Sequence, residues 1–202
     1  MTLTMITRHL YMVLAAVSLA ILTGIPLGIL AYLFQSARKI ILWTVEVLQT
    51  IPALALLGFI MVLFGPGRAT VITGLLLYSL LPVVQNTYVG LSEVDQAIKE
   101  VAQGMGMTRA YRLLNVEIPV AWPLIFTGVR IAAVTSVGTA VFAAFVGGGG
   151  LGGVIYQGIR VSNITMILSG TFTLMIIAIA IDAVMAYIEK RFYRRFIPHK
   201  TA

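Results

Sequence analysis

The sequence predicts an all-α membrane protein with five transmembrane helices and a short amphipathic helix at one end of the bundle. Hydrophobic residues make up 59% of the 202-residue chain and charged residues only 10%, with a mean hydropathy of +0.99. A soluble domain carries about 25% charged residues. Five apolar segments reach the roughly 20 residues that a helix needs to cross a bilayer. One long polar passage, residues 93–119, interrupts them.

Composition and charge exclude several classes of function. The chain has no cysteine, so disulfides and thiolate metal sites are impossible. The net charge of +7 does not indicate a nucleic-acid partner, because the basic residues cluster at the ends of apolar segments, as membrane topology requires. The phosphate-binding pattern G-x-x-x-x-G-K-[ST] is absent, and His9 and His199 lie at opposite ends of the chain. We therefore expect no catalytic site, no metal site and no cofactor in this chain.

The predicted spans are residues 10–34, 40–64, 69–91, 119–146 and 164–188 of a single domain that covers residues 1–202. Lys and Arg accumulate in loops on the cytoplasmic side of a membrane. One set of connections is rich in them, whereas the other holds Arg8, Arg68 and Arg160. The rich side should be cytoplasmic, which places the N-terminus outside and the C-terminus inside. Its basic residues are Arg38, Lys39, Lys99, Arg109, Arg112, Lys190, Arg191, Arg194, Arg195 and Lys200.

The first span carries a pair of small residues, Gly24 and Gly28, on either side of Pro26. A small-x-x-x-small pair favours close contact with a neighbouring helix. The open alternative is that glycine is simply common in membrane helices.

The second span contains three polar residues, Glu46, Gln49 and Thr50, shortly before Pro52. Proline removes a backbone hydrogen bond and kinks a helix. In a membrane such a break is tolerated only where it is buried in protein or lines a water-filled cavity. The polar residues favour a place beside a path through the membrane, while a kink packed against neighbouring helices remains the alternative.

The third span ends in a polar run, residues 85–88, which includes Asn86. Two interpretations remain open, because the run lies at the predicted cytoplasmic end of the span. Its side chains line the inner mouth of a path, or they mark where the helix leaves the hydrocarbon.

Ionisable residues occur within three of the spans, at Glu46, Arg130 and Asp182. Such groups destabilise a membrane protein unless they are paired. Counted from the cytoplasmic ends at 1.5 Å per residue, all three lie roughly 10 to 16 Å deep. We expect them to form one buried charge cluster that ties the spans together, with a structural role.

The polar loop, residues 93–118, has the pattern of a helix, a turn and a second helix. Ala97, Val101 and Met105 recur at helical spacing opposite polar residues, which indicates an amphipathic helix. Gly104 and Gly106 can end it with a left-handed turn, and Thr108 is a good N-cap for the next helix. Pro119 then opens the fourth span as a first-turn proline. The apolar face either seeks a partner or belongs to a surface helix without one.

A glycine turn, residues 146–153, follows the fourth span. It contains a formal G-x-G-x-x-G, but it follows a membrane helix rather than a strand, so that it is not a nucleotide-binding fingerprint. Glycines permit tight backbone approach. We expect a flexible turn at an external gate, formed by Gly147, Gly148, Gly149 and Gly150.

Several of these motifs together resemble the permease subunits of ABC importers. Residues 100–102, Gly106 and residues 116–119 resemble the EAA-x3-G-x9-I-x-L-P loop of that family, with Val101, Val116 and Ile118 as apolar departures. Residues 46–56, 81–83, 86–87, 104–108 and 146–153 further resemble permeases of glycine betaine, carnitine and choline importers. The resemblance covers residues 10–191, nearly the whole chain.

The resemblance implies a type I importer fold, in which the polar loop is a cytoplasmic coupling helix that docks on a separate ATP-hydrolysing subunit. It implies osmoprotectant uptake by alternating access in a bacterial plasma membrane, with ATP and Mg²⁺ bound by the partner. The implied partners are a second permease chain, identical or different, two ATP-binding subunits and an extracellular or periplasmic substrate-binding protein. By the same resemblance the ATPase-coupling residues are Glu100, Val101, Ala102, Gly104, Gly106, Met107, Thr108 and Arg109.

Two other functions remain open at this point. The glycine turn also resembles that of methionine importer permeases, although residues 49–52 favour the osmoprotectant branch. An ATPase-independent carrier or channel would need its own ion-coupling site, for which Glu46 and Asp182 are candidates, but it would not need the polar loop. Co-purification with an ATPase separates these possibilities.

Overall fold

The computed structural model describes residues 3–196, with side chains described as far as Arg191. The side chains of Arg194 and Arg195, and residues His199 and Lys200, which entered the sequence argument, lie outside this range. The α-helices are α1 Leu3–Leu33, α2 Gln35–Thr50, α3 Ala53–Phe64, α4 Arg68–Ser92, α5 Gln96–Gly104, α6 Arg109–Arg112, α7 Ile118–Thr139, α8 Gly152–Arg160 and α9 Ile164–Phe196. A π-helical turn, Leu113–Glu117, joins α6 to α7, and a 3₁₀ segment, Ala140–Val146, follows α7.

The centre of the bundle is built from α1, α4 and α7. α1 packs along α4, α4 packs along α7, and α9 covers α7 and α8. The predicted close contact at Gly24 and Gly28 is confirmed, because a Cβ at these positions would lie 2.8 Å from Val83 Cγ1 and 2.6 Å from Thr87 Cβ of α4. The absence of a side chain therefore lets the two helices approach each other closely.

Four helical stretches of the described chain are long and apolar enough to cross a membrane, and α2 and α3 make a fifth crossing if the bent pair is counted as one. The predicted kink at Pro52 is present, but it is a break in which the two helices differ in direction by 102°. Ile51, the residue before the proline, has φ −73° and ψ 126°, since proline disfavours the helical conformation of its predecessor. Residues 40–64 are therefore not one continuous span.

The first and fourth spans begin earlier than the sequence predicted, whereas α4 begins within one residue of the predicted start and α9 begins at Ile164, as predicted. α1 begins at Leu3, and the fourth span is a continuous helical stretch, Arg109–Val146. Pro119 lies in the first turn of α7, as predicted. No break precedes it, however, because the π-helical turn carries the chain from α6 directly into α7. The second helix of the polar loop and the fourth span are thus one body.

The turn within the polar loop forms as predicted. α5 ends at Gly104, and Gly106 has a φ of 81°, a conformation that favours glycine. Thr108 caps the next helix, and its hydroxyl accepts a hydrogen bond from the Tyr111 amide at 3.3 Å. Local chemistry alone therefore determines where these two helices end and begin.

Candidate functional site

The polar loop presents an apolar helix face away from the bundle. Val101 and Met105 are 65% and 71% exposed, and they border an open groove of about 360 Å³. A contiguous exposed apolar surface marks a site of interaction with another protein or with a membrane. We call this surface the apolar loop face; it is lined by Ala97, Ile98, Val101, Ala102, Met105, Met107 and Val116.

The predicted coupling residues lie along one continuous element, and three of them, Val101, Ala102 and Met107, line the apolar loop face. Glu100 lies on the exposed side of α5, where its carboxylate accepts a hydrogen bond from the Gln96 amide at 3.1 Å. The others belong to the turn after α5 and the start of α6: Gly104, Gly106, Thr108 and Arg109. Their role in coupling remains a prediction.

Behind the apolar loop face lies a buried carboxylate, Glu117, which is 2% exposed. It accepts a hydrogen bond from the Tyr32 hydroxyl at 2.7 Å and another from Arg112 Nε at 2.6 Å. Arg112 Nη1 also donates to Gln103 Oε1 at 3.4 Å. We call Tyr32, Gln103, Arg112 and Glu117 the Glu117 network. Since a buried charge is tolerated when it is paired and hydrogen-bonded, this network is a stable connection between α1 and the polar loop.

Two basic residues of the polar loop hold the ends of neighbouring helices. Arg109 Nη2 donates to the Leu33 carbonyl at the end of α1, at 3.1 Å. Lys99 Nζ donates to the Leu91 carbonyl near the end of α4, at 3.3 Å, and lies 5.3 Å from the centre of the Tyr32 ring. The last carbonyls of a helix lack partners within the helix and carry partial negative charge. Positive side chains therefore fasten the polar loop to two helix ends.

A second concave surface, the membrane groove, lies beside the break between α2 and α3 and has a volume of about 330 Å³. Gln49 and Asn86, both predicted, line it, whereas Thr50 hydrogen-bonds to the Val47 carbonyl of its own helix at 2.7 Å. Gln49 Nε2 donates to the Tyr78 carbonyl at 3.0 Å, and the Tyr78 hydroxyl donates to the Ile51 carbonyl at the break. The lining residues are Gln49, Tyr78, Leu81, Pro82, Gln85, Asn86, Ile131, Thr135, Ser136 and Thr139.

The predicted buried charge cluster of Glu46, Arg130 and Asp182 forms only in part. Glu189 takes the place of Glu46, and the group is not buried within the chain, since the side chains of Arg130, Asp182 and Glu189 are 32%, 43% and 27% exposed. Arg130 Nε and Nη2 donate to the two carboxylate oxygens of Asp182 at 2.7 and 2.8 Å, and Nη1 donates to Glu189 at 3.1 Å. Glu46 is exposed on α2 and makes no ion pair with the residues that the structure describes. The sequence argument compared depths only, and residues at one depth on different helices need not face each other.

The glycine turn is tightly packed rather than open. Gly147, Gly149 and Gly150 have φ of 73°, 73° and 85°, and a Cβ at Gly148 would lie 2.5 Å from Val71 Cγ2. A Cβ at Gly150 would lie 3.2 Å from Nδ1 of His9, a fully buried residue whose Nε2 lies 3.1 Å from the Val137 carbonyl oxygen. The predicted turn exists, and its role as a gate remains a prediction.

Comparison with known proteins identifies the family of this chain. The family model described as "Binding-protein-dependent transport system inner membrane component" matches residues 9–194, which include the polar loop, the membrane groove and the glycine turn. The chain belongs to this family. It is therefore a multi-pass membrane component of a transport system.

Curated relatives of this permease include proteins from Bacillus subtilis and Salmonella typhimurium. The chain is 38% identical over 184 residues to the glycine betaine/carnitine/choline transport system permease protein OpuCB of Bacillus subtilis (strain 168), covering 91% of this chain and 85% of that protein. It is 40% identical over 180 residues to the osmoprotectant import permease protein OsmW of Salmonella typhimurium, covering 87% and 84% of the two chains. The match therefore spans most of each protein.

Solved structures confirm the fold of the permease. The inward-facing MetNI methionine ABC transporter matches with a TM-score of 0.81 at 23% identity, covering 95% of this chain and 99% of that one. An amino acid ABC transporter whose structure is described as "with histidines" matches with a TM-score of 0.78 at 18% identity, covering 93% and 92% of the chains. The type I ABC importer permease fold predicted from the sequence is thus confirmed.

Several residues of the permease site were not expected from the sequence. Tyr32 lies in an apolar run, and nothing in its sequence neighbourhood indicates that its hydroxyl bonds to a buried carboxylate. Glu117 lies between the apolar residues Val116 and Ile118, just before a span. An acidic residue in such a place indicates a buried carboxylate that needs a hydrogen-bonding partner, and this was the sequence feature that could have identified it. Thr135 is separated from Gln49 by more than 80 residues, and only the packing of α7 beside the α2–α3 break brings both to one groove.

Proposed function

We propose that this chain is the permease subunit of an ATP-driven importer for quaternary-amine osmoprotectants, of the glycine betaine, carnitine or choline class. The observation that carries the proposal is an exposed apolar helix face on a loop that is held in place. The loop contains a buried ion pair, and two of its basic side chains bond to carbonyls at the ends of α1 and α4. A helix face that only covered the bundle would not need this support. A rigid apolar element suits a groove on a moving partner, since an ordered surface loses little conformational entropy on binding.

The occupant of the apolar loop face is an ATPase subunit. The chain carries no phosphate-binding motif of its own, so that ATP and Mg²⁺ are bound by this partner and not by the permease. Two ATP-binding subunits would dock on two permease chains, identical or different. Val101 and Met105, which lie outermost, would enter the apolar centre of the interface.

The membrane groove is proposed as part of the substrate path. Its lining combines amides, hydroxyls and the Tyr78 side chain, and none of its lining residues is charged. A quaternary ammonium group is attracted to aromatic faces, and an uncharged groove binds it weakly enough to allow release. The relatives OpuCB and OsmW are named as permeases for glycine betaine, carnitine and choline and for osmoprotectants, and these names support the same substrate class.

The proposed setting is a bacterial plasma membrane, with the N-terminus outside and the polar loop in the cytoplasm. Arg109 and Arg112, which belong to the polar loop, would then obey the preference of Lys and Arg for the cytoplasmic side. A separate extracellular or periplasmic protein would deliver the substrate to the opposite face, near the glycine turn. The permease would then expose the path alternately to the two sides.

The test is ATPase activity of the complex purified through this chain and reconstituted in proteoliposomes. It is measured with a binding protein that is empty or loaded with glycine betaine, carnitine, choline or methionine. We expect an ATPase subunit to co-purify and a quaternary amine to stimulate hydrolysis and uptake.

Each other outcome contradicts a defined part of the proposal. Stimulation by methionine alone would keep the importer and replace the substrate class. Uptake without a co-purifying ATPase would indicate a secondary carrier or channel and overturn the proposed docking on the apolar loop face.

A further inference from the structure

The Glu117 network connects the polar loop to a helix that is distant in the sequence. The loop joins α4 through residues 93–95 and joins α7 through the π-helical turn, so that both of these spans follow it by covalent continuity. α1 has no such connection. Its end is held by three separate elements of the loop: Lys99 of α5, Arg109 of α6 and Glu117 of the π-helical turn.

These three contacts together constrain the end of α1 in position and in orientation. The Tyr32 hydroxyl donates to Glu117 at 2.7 Å, and the Leu33 carbonyl accepts from Arg109 at 3.1 Å. Lys99 lies over the ring of the same tyrosine. Because hydrogen bonds to charged groups are short and directional, a displacement of the loop relative to α1 would break several of them at once.

We propose that the Glu117 network makes α1 move as one body with the polar loop, so that α1 transmits the motion of a docked ATPase into the bundle. Tyr32 and Glu117 are positioning residues, and they act through Arg112 and the loop rather than by contact with substrate. The inference rests on the proposed function, because the docked subunit supplies the motion.

The path of this motion extends to the far end of the bundle. α1 runs as one helix from Tyr32 to His9, about 35 Å at 1.5 Å per residue. There His9 contacts the Val137 carbonyl and packs under Gly150 of the glycine turn. A displacement of the loop therefore reaches the opposite end of the membrane without passing through the membrane groove.

The first test measures whether α1 and the loop keep their distance during the cycle. The chain has no cysteine, so spin labels can be placed at Leu30→Cys and Gln96→Cys, both exposed positions. Labelled chain is diluted with unlabelled chain in the reconstituted complex, and the distance distribution is recorded without nucleotide and with ATP and vanadate. We expect the same distribution in both states, and a nucleotide-dependent shift in this otherwise unsubstituted chain would overturn the proposal.

The second test measures uptake for each ATP hydrolysed. Glu117→Gln should lower this ratio about tenfold, because the charge that holds both donors is lost, and Tyr32→Phe should lower it less. Basal ATPase activity and the amount of co-purified ATPase subunit should stay within about twofold of the unsubstituted complex, since the apolar loop face is untouched. In the labelled pair, Glu117→Gln should broaden the distance distribution when nucleotide is added.

Matched controls separate this role from a general loss of stability. Glu93→Gln removes an exposed acid at the first position of the polar loop, and Tyr11→Phe repeats the tyrosine change at an exposed position of α1. Both should leave the ratio unchanged. If Glu117→Gln does not assemble, Tyr32→Phe retains the pair of Glu117 with Arg112 and carries the test. An unchanged ratio in an assembled Tyr32→Phe complex would contradict the inference, whereas absence of any ATPase from the unsubstituted complex would contradict the proposed function.

Discussion

The two ends of the helix bundle are held together by different chemistry. At the end that carries the polar loop, Glu117 accepts hydrogen bonds from Arg112 and from Tyr32 of α1. At the other end the glycine turn packs so closely that a Cβ at Gly148 or Gly152 would overlap a neighbour, at 2.5 and 2.0 Å. Polar contacts hold the polar loop in place and leave its apolar face exposed. At these two positions of the glycine turn, in contrast, the chain packs so closely that no space remains for a side chain.

The largest effect is expected where volume is added to the glycine turn. Gly152→Ala places a Cβ 2.0 Å from the Val141 carbonyl oxygen, a backbone atom that cannot move aside, and should destabilise the fold by about 3 kcal/mol or more. Gly153→Ala is the matched control, because its Cβ would meet nothing within 4 Å. Thermal unfolding of the purified permease in detergent measures both variants. Equal midpoints would show that this end is not sealed by packing.

A smaller loss is expected when the buried pair at the polar loop is broken. Arg112→Ala leaves Glu117 buried without its cation and should destabilise the permease by about 2 kcal/mol, below the range for fully buried pairs because the Arg112 side chain remains 17% exposed. Lys39→Ala, at an exposed position, should be neutral in the same unfolding measurement. Adding Glu117→Gln to Arg112→Ala should restore part of the stability, and a further loss would contradict the charge argument.

The free apolar face should tolerate a charge in the isolated permease but not in the complex. Val101→Asp leaves the fold intact, because 65% of this side chain is exposed, and should weaken ATPase docking about tenfold or more, equivalent to about 1.4 kcal/mol. Gln96→Asp adds the same charge outside the apolar loop face and is the control. The amount of ATPase subunit retained on the immobilised permease measures both. Full retention by Val101→Asp would exclude this face as the docking surface.

The smallest effect is expected at the cap of α6. Thr108→Ala removes the hydroxyl that accepts from the Tyr111 amide and should lower stability by about 1 kcal/mol. Thr108→Ser keeps the acceptor and should be close to the unsubstituted protein. Hydrogen exchange of the α6 amides detects the difference even when the global unfolding midpoint hardly moves. Equal exchange in both variants would show that the Glu117 network alone holds this helix in place.

Features that depend on neighbours in the sequence were predicted well. The apolar character of the spans, the irregularity at Pro52, the end of α5 at Gly104 and the cap at Thr108 are each encoded within a few residues. Hydropathy, proline geometry and capping act over one or two helical turns. The sequence by itself therefore determined that this protein crosses a membrane, where α5 ends and α6 begins, and that one amphipathic helix is left with a free apolar face.

Only the tertiary structure decided which distant groups meet. Arg130 pairs with Asp182 and Glu189 and leaves Glu46 out, because equal depth does not tell which way a side chain faces around its helix axis. Glu117 finds Tyr32 across 85 positions of sequence, a partner that no local pattern marks. The stability of an ion pair depends on how far its charges are removed from water and on how well they are hydrogen-bonded, and not on how far apart the two residues lie in the sequence. The contacts that position the polar loop were therefore decided by the packing of α1 against α4 and α7.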